Sequence, residues 1–264
     1  MTDFVFKLTS LDQPVRPPLG YPGGKNRLAA KILEHAPKHS TYVEPFMGSA
    51  AVFFAKPPAK KNILNDIDPQ LVRFFKKFSC PKLTSCVSKN PPTIANRKKF
   101  TKRFREGSSD TCDYFMARRL SFNSNGKDVN IWEPVRKNVG KSTVKNCATI
   151  KGKLNLAKIT NEDFRKVAKQ NDKPGTFQFW DPPYEGRAKG LYKFEENTSP
   201  EQVCGTARQL KHAKVLITHY NTPEVRQACR GLRMKTIAHQ YVSRNRNHGE
   251  VQQVKELLIA NYPI

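Results

Sequence analysis

The sequence predicts an α/β fold: a mostly parallel sheet flanked by helices and interrupted in its middle by an inserted, mainly helical module. Three observations carry this. Short apolar runs alternate with stretches of helical spacing before residue 76 and again from residue 159, the pattern of strands joined by helical crossovers. Two long strand-like runs close the sequence, with Gly249 between them as in a hairpin. Between residues 76 and 151 the composition shifts to Lys, Arg, Ser and Asn with interleaved aromatics, which marks a separate unit.

Residues 1–18 are polar and carry Pro14, Pro17 and Pro18, which predicts an irregular arm. A short helix is expected over 28–35, a strand over 41–45 ending in a glycine-containing turn, and a helix over 49–55. Residues 62–65 are apolar between polar flanks, as a second strand would be. Over 70–78 the spacing of Leu71, Phe74, Phe75 and Phe78 places four apolar side chains on one helical face. After the insert, helices are expected over 161–170, 200–212 and 223–230, and strands over 176–180, 214–218, 233–242 and 251–259. The last two strands could add an antiparallel edge. The predicted units are an arm at 1–18, a main domain at 19–75 and 152–264, and an inserted domain at 76–151.

Forty-seven Lys and Arg face twenty-two Asp and Glu, a formal net charge of +25. Such an excess repels itself in a lone compact protein, and a polyanion relieves it. Nucleic acid is the expected partner, because neutralised phosphates release counterions. No secretory leader and no apolar run of membrane-spanning length is read in the sequence. The six cysteines, Cys80, Cys86, Cys112, Cys147, Cys204 and Cys229, form no C-x-x-C pair. They are expected to be reduced thiols of a cytoplasmic protein, with no metal site.

The chemistry centres on Phe179-Trp180-Asp181-Pro182-Pro183-Tyr184, which follows an apolar strand. Ligand sites of open α/β sheets lie beyond the carboxyl ends of strands. Two consecutive prolines fix φ and donate no N–H, so nearby carbonyls are left as acceptors. Asp181 and the Pro182 carbonyl could hold both hydrogens of an exocyclic amine and aim its lone pair at a methyl donor. Tyr184 offers a flat face to an extruded base.

D-P-P-Y resembles motif IV of the amino-methyltransferases that modify exocyclic nitrogens of nucleobases. Upstream, Tyr42-Val43-Glu44-Pro45-Phe46-Met47-Gly48-Ser49-Ala50 resembles motif I of the Dam family of DNA adenine methyltransferases. Asn65-Asp66-Ile67-Asp68 follows at the end of the next strand. Tyr21-Pro22-Gly23-Gly24-Lys25 is similar to the family's motif X, and Ile159-Thr160-Asn161-Glu162-Asp163-Phe164 to its motif III. The segment 214–224, with His219 and Tyr220, resembles the strand and turn near motif VIII. Methylation of this amine needs no strong base, so His219 is expected to be a satisfied strand-end histidine.

The resemblance implies a Rossmann-like class I sheet that uses S-adenosyl-L-methionine (AdoMet), with an inserted target-recognition domain. It implies catalytic roles for Asp181, Pro182 and Tyr184. It implies a cofactor site of Tyr21, Lys25, Glu44, Phe46, Gly48, Asp66, Asp163 and Phe164, shared with Asp181. Asp66 would accept from the ribose hydroxyls, while Asp68 competes for that role or caps the next helix. Asp163 would accept from the cofactor's adenine, with Phe164 packed on its ring. An Asp in a helix's first turn beside a buried Phe is the plainer alternative.

In the insert, Ala117-Arg118-Arg119-Leu120-Ser121-Phe122-Asn123-Ser124-Asn125-Gly126 is similar to the family's recognition pattern but lacks its uninterrupted F-N-G. Arg118, Arg119, Asn123 and Asn125 are expected near double-stranded DNA. The implied activity is methylation of N6 of a flipped adenine in DNA, by a monomer or weak dimer in a bacterial or phage-infected cell. A separate restriction endonuclease is compatible with this. N4-cytosine or RNA adenine methylation remains open, as does a silent DNA-binding protein of the same fold.

Overall fold

The computed structural model describes residues 10–121, 124–126, 138–184, 198–242 and 251–264; for 239–242 and 251–254 only the backbone is considered. Seven strands form one sheet: β1 (Thr41–Glu44), β2 (Lys61–Asn65), β3 (Ala157–Thr160), β4 (Thr176–Trp180), β5 (Lys214–Tyr220), β6 (Arg233–Val242) and β7 (Val251–Ala260). Their order is β3-β2-β1-β4-β5-β7-β6. The pairs from β3 to β5 are parallel, and β7 runs antiparallel to both β5 and β6. The expected final hairpin is present, but its second strand inserts beside β5, so β6 forms the edge. Gly249 lies outside the described residues. Every residue of β4 is buried, as expected of a central strand covered on both faces.

The order reverses between β1 and β4, which both pair parallel and whose following segments lead to opposite sides of the sheet. In open α/β sheets a ligand crevice opens at the carboxyl ends of two such strands. Helix α1 (Ala29–Leu33) precedes β1, and α2 (Ala51–Ala55), α9 (Phe164–Gln170), α10 (Pro200–Gln209) and α11 (Pro223–Ala228) lie in the connections between strands. Between β2 and β3 lie α3 (Pro69–Lys76), α4 (Cys80–Lys89), α5 (Ile94–Arg105), α6 (Thr111–Leu120), α7 (Lys141–Lys145) and α8 (Cys147–Asn155). The described part of the inserted stretch is therefore helical. It shares one hydrophobic core with the sheet: Phe74 of α3 stacks on Tyr114 and Phe115 of α6, and Phe75 meets Phe54 of α2.

The described part of the N-terminal arm lies against this core. The Val15 N–H donates to the Phe54 carbonyl at 3.0 Å, and the Thr143 hydroxyl donates to the Pro18 carbonyl at 2.9 Å. Residues 1–9 fall outside the described residues.

The expectation of six reduced thiols is corrected. Disulfides join Cys80 to Cys147, Cys86 to Cys112 and Cys204 to Cys229. The partners are 67, 26 and 25 residues apart, so helix packing and not local spacing brings them together. The first two tie α4 to α8 and α4 to α6; the third ties α10 to the end of α11.

Lys153 of α8 is fully buried, and its Nζ donates to the carbonyls of Phe54 at 3.1 Å and Lys56 at 2.8 Å. These carbonyls end α2, where intrahelical donors run out. Burial pushes the ammonium pKa down to about 8. Lys153→Met keeps the packing but strips the Lys56 carbonyl of this donor and leaves the Phe54 carbonyl with the Val15 N–H alone. The variant is expected to lose about 1–3 kcal/mol, read as a lower urea midpoint at unchanged slope. An unchanged midpoint would show that this cap does not stabilise α2.

Candidate active site

β4 delivers Asp181-Pro182-Pro183-Tyr184 to the carboxyl edge of the sheet, beside the point where strand order reverses. Three donors from three parts of the sequence converge on Asp181 Oδ1. Lys25 Nζ lies at 2.7 Å, Thr218 Oγ1 at 2.9 Å and the Tyr184 hydroxyl at 3.1 Å. Lys25 is held in turn by the Gly23 carbonyl at 2.9 Å. Thr218 is the residue that sequence reasoning passed over. Parallel pairing of Trp180 with Ile217 puts Thr218 alongside Asp181, a register that only the sheet reveals.

Tyr184 stacks on His219 with centroids 4.6 Å apart and planes at 22°, and meets the edge of Tyr220 at 4.5 Å. Lys25 Nζ is 4.8 Å from the Tyr184 ring centroid. Burial raises the Tyr184 phenol well above its usual pKa, so it remains a neutral donor. His219 is buried, and burial pushes its pKa down to about 4. Its Nδ1 accepts the Tyr220 N–H at 2.9 Å, which leaves the proton of the neutral ring on Nε2. Among the described residues only one ring nitrogen is satisfied: Nε2 is buried and finds no hydrogen-bond partner there. The expectation of a fully satisfied histidine is corrected to that extent.

On the β1–β2 side, Gly48 adopts φ +45° and its N–H donates to Asp66 Oδ2 at 3.0 Å. A Cβ on Gly48 would stand 3.2 Å from Tyr21 Cδ1, so glycine is required both for φ and for the approach of that ring. Asp66 Oδ1 accepts the Asp68 N–H at 3.0 Å. Asp68 caps α3 through the N–H groups of Gln70 and Leu71. The two acids thus divide the roles: Asp68 caps, and Asp66 braces the glycine turn.

Glu44 is buried, and its Oε1 accepts from the Tyr42 hydroxyl at 2.6 Å and the Phe53 N–H at 2.7 Å. Burial raises its pKa to about 8 against these two bonds. Its visible work is to hold α2 against β1. Phe46 and Phe164 face one another at 4.8 Å, and Phe164 meets Trp180 edge-on at 5.8 Å. Asp163 caps α9 and is gripped by Arg165, whose Nε and Nη2 lie at 2.9 and 2.6 Å from its oxygens. The Arg165 hydrogen bonds hold its pKa below the usual carboxylate value.

The residues expected near DNA separate. Arg118 is 5% exposed and its guanidinium is enclosed by protein, so it is not presented to a phosphate. Asn125 is buried as well. A sequence-local cluster of basic and amide residues does not reveal that the end of α6 turns inward. Arg119 is half-buried, with its guanidinium 5.9 Å from the Phe115 ring. Asn123 lies outside the described residues. Lys98, Lys99, Lys102, Arg103 and Arg105 of α5 are exposed.

Burial raises the Asp66 pKa to about 6, offset in part by the Asp68 and Gly48 N–H groups. A raised acid binds its proton more tightly in the folded protein. Its ionised form is fully available only above pH 6 and is lost as pH falls through that value. A ligand whose hydroxyls donate to this carboxylate should therefore bind up to about tenfold more weakly per pH unit below 6. Calorimetric titration with S-adenosylhomocysteine from pH 5 to 8 checks this. Asp66→Asn should flatten the profile, and an equally steep profile in that variant would remove Asp66 as its source.

Among the described residues, no helix is long and apolar enough to cross a membrane. A curated relative from Escherichia phage P1, a DNA N-6-adenine-methyltransferase, is 24% identical over 230 residues covering 78% of this chain. The chain spans 30% of that relative's length. Among solved structures, a putative methyltransferase from Escherichia coli covers 93% of this chain and is itself covered over 90%, at 13% identity and a TM-score of 0.39. A putative RNA methyltransferase from Pyrococcus horikoshii gives 10% identity and a TM-score of 0.40, with 89% of this chain and 83% of that one covered. Superpositions this loose carry no weight beside the sequence match. Residues 21–243 match the family model of the D12 class N6 adenine-specific DNA methyltransferases, a span holding the glycine turn, Asp66 and D-P-P-Y, and the chain belongs to that family.

Proposed function

We propose that this chain transfers a methyl group from AdoMet to N6 of an adenine swung out of double-stranded DNA. The observation that carries the reading is Asp181, clamped by Lys25, Thr218 and Tyr184 at the carboxyl end of β4, where the strand order reverses. All three bonds fall on Oδ1. Among the described residues this leaves Oδ2 as an acceptor for an amine hydrogen, with the Pro182 carbonyl as a second. Fixing the carboxylate in advance means that little reorganisation remains when the amine arrives.

The loops that follow β1 and β2 carry groups suited to the cofactor. Asp66 is an acceptor for a ribose diol, Tyr21 and the close-approach Gly48 form one wall, and Phe46 with Phe164 provides apolar faces for an adenine ring. Lys25 and Glu44 line or brace the same loops. Asp163 offers a hydrogen-bond acceptor at the start of α9 once Arg165 shares it. When bound, the cofactor supplies an electrophilic methyl group. The protein's own residues align the amine, exclude water and accept its hydrogens. His219, neutral above about pH 4, acts as a support beneath Tyr184 and not as a base.

DNA is favoured as substrate by the +25 charge and by the exposed basic face of α5. Such a substrate places the enzyme inside a bacterial or phage-infected cell. The test is to incubate the protein with methyl-labelled AdoMet and unmethylated duplex DNA, then digest to nucleosides. Label in N6-methyladenine is expected. Label in N4-methylcytosine, or only when RNA is supplied, overturns the substrate assignment. Duplex binding without any S-adenosylhomocysteine binding identifies a silent DNA-binding protein instead.

A further inference from the structure

We propose that Arg118 is a positioning residue that links the inserted helices to the cofactor loops, so that filling the pocket and docking DNA are coupled through it. The inference rests on the cofactor and substrate given above. Arg118 lies in the last turn of α6, yet the residue is only 5% exposed. Nη1 donates to the Ser124 carbonyl at 3.0 Å, and Nη2 lies 3.6 Å from Asp68 Oδ2. Its Cζ stands 4.6 Å from the Tyr21 ring, 5.1 Å from Phe104 and 5.2 Å from Tyr114.

These partners come from both sides of the coupling. Phe104, Tyr114 and Ser124 belong to the insert. Tyr21 belongs to the Y-P-G-G-K turn and abuts Gly48. Asp68 donates its N–H to Asp66, the acid that also holds the Gly48 N–H. A shift of either cofactor loop therefore reaches the guanidinium by two routes, one through a ring and one through a carboxylate. An arginine is expensive to bury, and an apolar side chain could have filled the space. The planar guanidinium does what an apolar plug or a lysine cannot: it stacks against rings while bonding in its own plane. A packed group with fixed partners on two elements passes displacement between them, and measured coupling is the physical proof of it.

The test measures S-adenosylhomocysteine affinity by calorimetry with and without unmethylated duplex. In the wild-type protein DNA should change this affinity by at least about fivefold, in the range typical of coupled sites. In Arg118→Met and Arg118→Lys the change should fall to within about twofold, while affinity without DNA persists. Asp68→Asn retains an acceptor for the α3 cap but removes the ion-pair charge. It should reduce the coupling too, and it serves if the Arg118 variants fail to fold. A wild-type factor of one, or full coupling in any folded variant, overturns the proposal. Absence of S-adenosylhomocysteine binding by the wild-type protein instead overturns the functional reading on which the proposal stands.

Discussion

Asp181→Ala is expected to lower kcat by about 1000-fold or more, with S-adenosylhomocysteine affinity changed by only a few fold. The asymmetry follows from what the carboxylate touches. Asp181 Oδ1 holds Lys25, Thr218 and Tyr184, so its removal releases three side chains at once and deletes the acceptor facing the amine. The proposed cofactor wall of Gly48, Tyr21 and Asp66 is bonded independently of it. Asp181→Asn is the sharper probe. It preserves volume but turns one oxygen into a donor, which cannot accept an amine hydrogen and opposes the donors already present. Thr218→Val should fall between wild type and Asp181→Asn, since it removes one of three clamps and leaves the carboxylate in place. Single-turnover methylation at saturating DNA separates the chemical step from binding. A kcat within tenfold of wild type for Asp181→Ala would remove Asp181 from the reaction.

The central sheet was legible because its strands are short apolar runs with distinct ends. Residues 176–180 and 233–242 were read with the bounds that the structure gives. β3 was not expected as a strand. Ala157–Thr160 lies at the sheet edge with none of its residues buried, so neither alternation nor an apolar run marks it. The site was legible where chemistry is local in sequence, as in D-P-P-Y and the glycine turn. It was not where the partner arrives from another strand, as Thr218 does, or where a charge turns inward, as Arg118 does. Hydrophobic pattern predicts which apolar residues are buried. It cannot reveal that a cation is buried when Tyr21, Phe104 and Asp68 arrive from other segments to join Tyr114 of its own helix around it. The cysteines were misread for a related reason: helices α4, α6 and α8 pack side by side, and their sequence separations give no sign of it.

Removing the Cys80–Cys147 bridge by the double substitution Cys80→Ala, Cys147→Ala is expected to destabilise the protein more than removing either other pair. Chain entropy sets the order. The bridge spans 67 residues, against 26 for Cys86–Cys112 and 25 for Cys204–Cys229. Loop-closure arithmetic gives about 4.4 kcal/mol for the longest loop and about 3.5 kcal/mol for each of the others. For a chain of this size the longest bridge then corresponds to a fall in Tm of about 9–18 °C. Its position adds a functional consequence. Cys80 begins α4 and Cys147 begins α8, so the bridge draws together the two ends of the inserted helices. The second bridge fastens α4 to α6 within them, while β1, β2 and the glycine turn carry no disulfide. Mild reduction should therefore weaken duplex binding before it weakens S-adenosylhomocysteine binding. Parallel titrations across a dithiothreitol series read both, with free thiols counted at each step. Simultaneous loss of the two affinities would show instead that the insert and the sheet unfold as one cooperative unit, as their shared core allows.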